Sequence, residues 1–122
     1  MADTNIRLLL LENDEADAQR IQKELVDKHK GFDLTRVSTL AEGLECLRGQ
    51  HFDAALLGFH LSDNRDLNAI ESFLFQNPSL PIIVLTQQDD ENAAMKAMRL
   101  GAQDWVAKSS PSVSFLPRII RY

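Results

Sequence analysis

Residues 81–85 of the chain read PIIVL, a short run of aliphatic residues that opens on a proline and lies between turn residues. Such a run predicts a β-strand, and proline is tolerated at the start of one. A second run, IRLLLL at residues 6–11, is apolar throughout except for Arg7. Strands that are apolar on both faces are typical of parallel sheets covered by helices on each side. These two runs therefore favour an α/β fold.

Outward from these runs, strand-like and helix-like stretches alternate five times along the chain. The predicted strands cover residues 6–11, 32–37, 54–57, 81–85 and 105–107. Each strand is followed by a helical pattern, the fourth of which covers residues 89–100. The residues expected to share one face of the other four helices are Ala18, Ile21, Leu25 and His29; Leu40, Leu44 and Leu47; Ile70, Phe73 and Leu74; and Phe115, Leu116, Ile119 and Ile120. Strands that alternate with helices of this length predict a parallel sheet with helices on both faces.

Several residues have the character of helix ends or of core positions. Asp14 is expected to cap the first helix and Thr39 the second, where Glu42 completes a capping box. Asp66 is expected to cap the third helix and Gly101 to end the fourth. Pro117 fits only the first turn of a helix, so we expect the fifth helix to begin near Ser114. Phe75, Met95 and Met98 are expected to be mostly core, with one or two of them exposed for a partner, and Cys46 is expected to be a core or helix-surface filler.

Composition narrows the class of protein. The chain has 122 residues, which is the size of one domain, with 44% hydrophobic and 25% charged residues. The net charge of −5 and the scattered basic residues argue against a nucleic-acid partner. A single cysteine excludes an internal disulfide and fits a reducing compartment. The longest aliphatic run, residues 8–11, is too short for a membrane span or a secretory signal, so we expect a cytoplasmic domain without membrane contact.

Functional residues are expected where the strands end. In open parallel sheets, ligands bind at the carboxyl ends of the strands. The residues at those junctions are Glu12 and Asn13, Gly58, Thr86, and Lys108. The first strand begins close to Met1 and the last helical pattern stops at Tyr122 without a terminating signal. We therefore expect residues 1–122 to be one domain at the amino-terminal end of a longer, multidomain protein.

Four stretches in this order resemble the receiver domain of two-component response regulators over essentially the whole length of the chain. They are LLLLENDEADAQ (8–19), FDAALLGFHLSD (52–63), LPIIVLTQQDDE (80–91) and GAQDWVAK (101–108). The resemblance implies a flavodoxin-like, doubly wound five-stranded parallel sheet of strand order 2-1-3-4-5, with helices on both faces. It also implies a role in phosphorelay signalling in bacteria.

The resemblance also implies a specific set of site residues. In that family an aspartate at the end of strand three accepts a phosphoryl group from a phosphohistidine, and two acids after strand one help it to hold Mg²⁺. A hydroxyl after strand four and a lysine after strand five orient the phosphoryl oxygens. Glu12 matches the first acid, Thr86 the hydroxyl and Lys108 the lysine, while Trp105 takes the aromatic switch position.

Two positions of the family pattern fail. Gly58 stands at the phosphoacceptor position and Asn13 at the second acid. We therefore expect a pseudo-receiver that is not an enzyme and binds no cofactor, with Mg²⁺ binding weak or absent. Without its usual aspartate, Lys108 is expected to contact Glu12 or solvent. Such a domain would act by protein contact through helix four, strand five and helix five, on a partner, an attached output domain or a second copy.

Alternatives remain open at this point. Asp63, in the loop after strand three, is the best substitute acceptor, and it would make the chain an unorthodox receiver; Asp53 lies at the wrong end of that strand. A flavodoxin-like cofactor binder or enzyme would need a phosphate cradle after strand one, where the sequence has Glu-Asn-Asp-Glu at 12–15. The three histidines, His29, His51 and His60, lack metal-ligand spacing, and Trp105 serves either packing or an interface.

Overall fold

A computed structural model describes residues 5–27, 31–58, 66–86, 91–108 and 116–121. Within these ranges five strands alternate with five helices, as the sequence predicts. The strands are β1 (Ile6–Leu11), β2 (Phe32–Val37), β3 (Ala54–Gly58), β4 (Ile82–Thr86) and β5 (Asp104–Ala107). The helices are α1 (Glu15–Gln22, continued by a π-helical segment over Lys23–Asp27), α2 (Leu40–Gly49), α3 (Asp66–Gln76), α4 (Glu91–Arg99) and α5 (Leu116–Arg121).

The five strands form one parallel sheet of order β2-β1-β3-β4-β5, which confirms the predicted fold class. The register aligns the strand ends at one edge. Leu11 of β1 is opposite Leu57 of β3, and Gly58 is opposite Leu85 of β4. Thr86 of β4 is in turn opposite Ala107 of β5. The carboxyl ends of four strands therefore meet at the same edge of the sheet.

Helices cover both faces of the sheet because the strands carry apolar side chains on both faces. Leu9 and Leu11 of β1 belong to a buried cluster that includes residues of α3 and α4, with side chains of α2 packed against it. Leu8 and Leu10 belong to a second cluster, which includes residues of α1 and α5. No helix of the described residues is both long enough and apolar enough to cross a membrane.

The expected helix ends are largely where the sequence places them. The Asp14 side chain accepts a hydrogen bond from the Ala16 N–H at 3.2 Å. Thr39 and Glu42 form the capping box, each side chain accepting from the backbone N–H of the other at 3.2 Å. The described part of α5 is Leu116–Arg121, with Pro117 in its first turn, and the expected start near Ser114 lies outside the described residues. The side chain of Asp66 is also outside the description, so its capping role stays a prediction.

The expectation that Phe75, Met95 and Met98 are mostly core is wrong. Their side chains are 89%, 55% and 40% exposed. On α3 the buried residues, among those whose burial is described, are Ala69, Ile70 and Phe73, and Phe75 lies two residues beyond Phe73, which is about 200° around a helix of 3.6 residues per turn. On α4 the small residues Ala94 and Ala97 face the sheet, and each methionine follows one of them on the outward side. The buried alanines therefore show which side of α4 faces the sheet, which the spacing of apolar residues in the sequence does not decide.

Gly101 has a backbone conformation that favours glycine. Its φ is +114°, and a Cβ built there would fall 2.6 Å from Leu74 Cδ1. We expect Gly101→Ala to lower the free energy of unfolding by about 1–3 kcal/mol in urea titrations, because the new side chain is strained and crowded. Gly49 at the end of α2 has nothing within 4 Å of such a Cβ. Gly49→Ala is therefore the control, expected to be neutral or slightly stabilising; equal losses in both variants would contradict the strain argument.

Candidate functional site

The residues singled out at the strand ends come together at the carboxyl edge of the sheet. Glu12 follows β1, Gly58 ends β3, Thr86 ends β4 and Lys108 follows β5. We expected β3 to end at Leu57, but Gly58 continues the ladder as its last residue, opposite Leu85. Glu12, Thr86 and Lys108 are all buried. The edge of the sheet therefore holds two oppositely charged groups out of contact with solvent.

Lys108 and Glu12 form an ion pair. The Lys108 Nζ lies 2.8 Å from Glu12 Oε1, and the two side chains are 4% and 0% exposed. Of the two environments expected for the lysine, carboxylate or solvent, the structure therefore has the carboxylate. A buried charge is costly unless it is paired, so the contact offsets part of the cost of burying each group.

Gly58 provides the space in which the Glu12 carboxylate lies. A Cβ built on Gly58 would fall 2.8 Å from Glu12 Cδ and closer still to Glu12 Oε1. The other carboxylate oxygen, Oε2, accepts a hydrogen bond from the Asp14 N–H at 3.1 Å. The Glu12 side chain thus occupies the volume that any side chain at position 58 would need.

Arg36 holds the loop that carries Glu12. From β2, its Nε and Nη2 donate to the Glu12 carbonyl oxygen at 3.0 and 2.8 Å. Its Nη1 also donates to Glu15 Oε1 at 2.7 Å. This hydrogen bond is the main reason why the pKa of the Glu15 carboxyl is lowered. Arg36 therefore ties the β1–α1 loop to the neighbouring strand.

Two residues of α1 that the sequence pattern did not indicate also belong to the site. Asp17 Oδ2 lies 3.3 Å from Lys108 Nζ, and Arg20 Nη2 donates a hydrogen bond to the Lys108 carbonyl oxygen. The two side chains also pair with each other, at 3.5 Å between Arg20 Nη2 and Asp17 Oδ1. The signal available was the i, i+3 spacing of an acid and a base on the helix that starts at the functional edge. Helix α1 thus contributes one acidic and one basic side chain to the site.

Thr86 and Trp105 differ in how far they belong to this site. The Thr86 carbonyl accepts a hydrogen bond from the Lys108 N–H at 2.8 Å. Its hydroxyl Oγ1 is buried and finds no hydrogen-bond partner within the described part of the chain. Trp105 is half-buried and packs against the α2–α4 side of the core. Its described contacts are therefore those of packing.

The residues present do not fit a magnesium ion. Mg²⁺ is bound in proteins through carboxylate oxygens. Asn13 offers a neutral amide, Gly58 offers no side chain, and the Glu12 carboxylate is engaged with Lys108 and the Asp14 N–H. Among the described residues there is no group of three histidine, cysteine or acidic side chains that could hold a metal.

The other candidate residues lie elsewhere or outside the description. Asp63 and His60 are not among the described residues. Asp53 lies at the opposite end of β3, where it accepts from the Arg7 N–H at 2.8 Å and contacts His51 Nε2 at 3.1 Å. The Arg7 hydrogen bond is the main cause of the lowered pKa of Asp53. Strand β3 thus separates Asp53 from Gly58, as expected.

Fold and site together define a receiver-type α/β domain. The family model for the response regulator receiver domain matches residues 9–119. The chain belongs to this family, whose members are signalling domains of two-component systems rather than catalytic enzymes.

Individual relatives agree with this assignment. The chain is 27% identical over 114 residues to the cell cycle transcriptional regulator CtrA of Caulobacter vibrioides, covering 93% of the chain and 48% of CtrA. It thus spans about half the length of that relative. A putative response regulator from Chloroflexus aurantiacus is similar in structure, with a TM-score of 0.84, 21% identity and coverage of 96% of this chain and 98% of that one.

A second solved structure is that of a response regulator from Burkholderia pseudomallei with a phosphorylated aspartic acid, a calcium ion and citrate. Its TM-score is 0.78 at 22% identity, covering 92% of this chain and 65% of that one. At this level of identity, both structural matches support the fold alone.

Proposed function

We propose that this domain is a pseudo-receiver: a regulatory module that keeps the receiver fold but is not phosphorylated at the end of β3. The observation that carries the proposal is the Glu12 carboxylate lying in the space that a side chain at Gly58 would fill. An acyl phosphate needs a carboxylate nucleophile, and glycine has none. The neighbouring lysine is already neutralised by Glu12, at 2.8 Å.

The loss of the acceptor changes how such a domain can signal. A ligand shifts a conformational equilibrium only through its differential affinity for the two states. With no phosphoryl group to bind, the pocket is held by its own ion pair in one arrangement. The domain then acts through constant protein contacts, or through contacts biased by a partner.

The contact surface we propose is the face formed by α4, β5 and α5. Met95 and Met98 of α4 are both exposed, and methionine is a frequent component of adaptable binding surfaces. The partner would be an output domain attached to the same protein, a separate protein or a second copy of this domain. Because the chain spans about half of a transcriptional regulator such as CtrA, the attached domain is the first to test.

Phosphodonor labelling tests the proposal. We expect the protein, incubated with acetyl phosphate and Mg²⁺, to show no phosphoryl adduct by intact mass spectrometry, and beryllofluoride with Mg²⁺ to leave its NMR spectrum unchanged. A response regulator receiver with an intact acceptor aspartate is the positive control. A stable aspartyl adduct would overturn the proposal. If the adduct mapped to Asp63 and disappeared in Asp63→Asn, the chain would instead be an unorthodox receiver.

A further inference from the structure

The backbone of Lys108 is held by hydrogen bonds from within the described chain, and its ammonium, which makes no hydrogen bond there, is held by ion pairs alone. Its N–H donates to the Thr86 carbonyl oxygen at 2.8 Å. Its ammonium lies 2.8 Å from Glu12 Oε1 and 3.3 Å from Asp17 Oδ2. Its carbonyl oxygen accepts a hydrogen bond from Arg20 Nη2. The residue that follows β5 is thus held at its backbone on both sides and at the tip of its side chain.

Two of these contacts come from one helix. Asp17 and Arg20 lie one turn apart on α1, and Arg20 is 88 residues away from Lys108 in the chain. Asp17 pairs with the ammonium and Arg20 donates to the carbonyl oxygen, so α1 contacts both the side chain and the backbone of Lys108. Asp17 and Arg20 also pair with each other, at 3.5 Å, which keeps both side chains on the Lys108 side of α1.

The charges of this cluster balance. Glu12 and Asp17 are the acids, Arg20 and Lys108 the bases, and the contacts above pair them. Glu12 and Lys108 are buried while Asp17 and Arg20 reach solvent, and a cluster of balanced charge has little remaining field to attract either an anion or a cation. An added phosphoryl group or divalent ion would therefore have to break existing pairs before it could bind.

We propose that α1, through Asp17 and Arg20, is a clip that fixes the β5 end at Lys108 in one conformation. Asp17 and Arg20 are positioning residues, since they act on Lys108 and not on a substrate. The contacts themselves do not depend on the proposed function. Their regulatory meaning does: the clip supplies from inside the domain the restraint on the lysine that a phosphoryl group would otherwise supply.

Amide hydrogen exchange measured by NMR, without phosphodonor or metal, tests the clip. The probe is the Lys108 amide, which opens only when the strand end moves away from Thr86. The reference is the Asp53 amide, bound to the Arg7 carbonyl oxygen at 2.7 Å at the opposite edge of the sheet. The variants are Asp17→Asn, which keeps the shape of the side chain, and Arg20→Met, which keeps most of its length.

We expect each variant to speed exchange of the Lys108 amide by about tenfold, because each removes a charge-assisted contact that holds this residue. The Asp53 amide should change by less than about twofold, since it opens in a different local unit. Arg20→Lys, which can still donate to the carbonyl oxygen, should restore part of the protection.

The matched control is Arg48→Met on α2. Arg48 pairs with Glu45 at 2.8 Å in the same i, i+3 spacing, but it contacts no strand end among its described interactions. It should leave both amides within about twofold of the wild type, as expected for an exposed pair. The clip is overturned if the Lys108 amide exchanges at the wild-type rate in both variants. It is equally overturned if both amides accelerate together, which would indicate a general loss of stability. Neither result bears on whether the domain is phosphorylated.

Discussion

Asn13→Asp combined with Gly58→Asp is expected to convert this domain into one that binds Mg²⁺ and accepts a phosphoryl group. The two changes return the anionic oxygens that a hard cation needs, and the second also supplies the nucleophile. The Cβ of the new aspartate would displace the Glu12 carboxylate, which lies at the end of a flexible side chain and can rotate away. Lys108 would then pair with the aspartate at position 58.

Mg²⁺ is expected to raise the stability of the double variant. In EDTA, the added carboxylates repel Glu12 and Asp17 around a single buried lysine, so the double variant should be less stable than the wild type. At about ten times its Kd, Mg²⁺ should return about 1.4 kcal/mol, or about 5 °C in Tm. Differential scanning fluorimetry with and without Mg²⁺ measures this shift, and acetyl phosphate labelling measures the regained chemistry.

The matched control is Asn13→Asp with Gly58→Asn. It introduces nearly the same volume at position 58 without a charge or a nucleophile, so it should gain neither labelling nor a comparable shift in Tm with Mg²⁺. If the aspartate and asparagine variants behaved alike, Gly58 would not occupy the acceptor position. The alignment of β3 with the receiver family would then be wrong at its most important residue.

Lys108→Met is expected to destabilise the domain by about 3–5 kcal/mol. Methionine fills a similar volume, but it leaves the Glu12 carboxylate buried without its cation. Urea unfolding followed by the fluorescence of Trp105, the single tryptophan, measures the loss directly. Asp17 is partly exposed and can turn to water, so most of the cost should arise at Glu12.

Two comparisons separate the ion pair from simple packing. Removing both charges, in Lys108→Met with Glu12→Gln, should recover most of the lost stability, because neither partner is then a buried unpaired charge. Lys96→Met on the exposed side of α4 should stay within about 0.5 kcal/mol of the wild type. A Lys108→Met variant as stable as Lys96→Met would refute the buried pair.

The fold was predictable because its main signals are local. Apolar runs such as residues 6–11 and 82–85 form strands for reasons of composition within a few residues, and Thr39 with Glu42 marks a helix start within one turn. The side of each helix that faces the sheet was harder to predict from the sequence. Phe75, Met95 and Met98 have apolar character at helical spacing, but which side of each helix meets the sheet depends on neighbours far along the chain.

The site likewise has a part that local sequence signals predict and a part that they do not. Glu12, Gly58, Thr86 and Lys108 could be placed at one edge because parallel strands bring their carboxyl ends together. The contacts of Lys108 with Asp17 and Arg20 could not be derived, since they join residues about 90 positions apart whose separation is set by the packing of α1 on the sheet.

What the sequence determined by itself is chemical identity: position 58 has no side-chain oxygen and position 13 has no charge, and no arrangement of the chain can supply either on those residues. The tertiary structure alone decided what lies in the space left by the absent side chain. Glu12 turns into that space and, with Asp17, neutralises Lys108, because a lysine enclosed by the sheet and α1 must find its counter-charges among the side chains that packing places beside it.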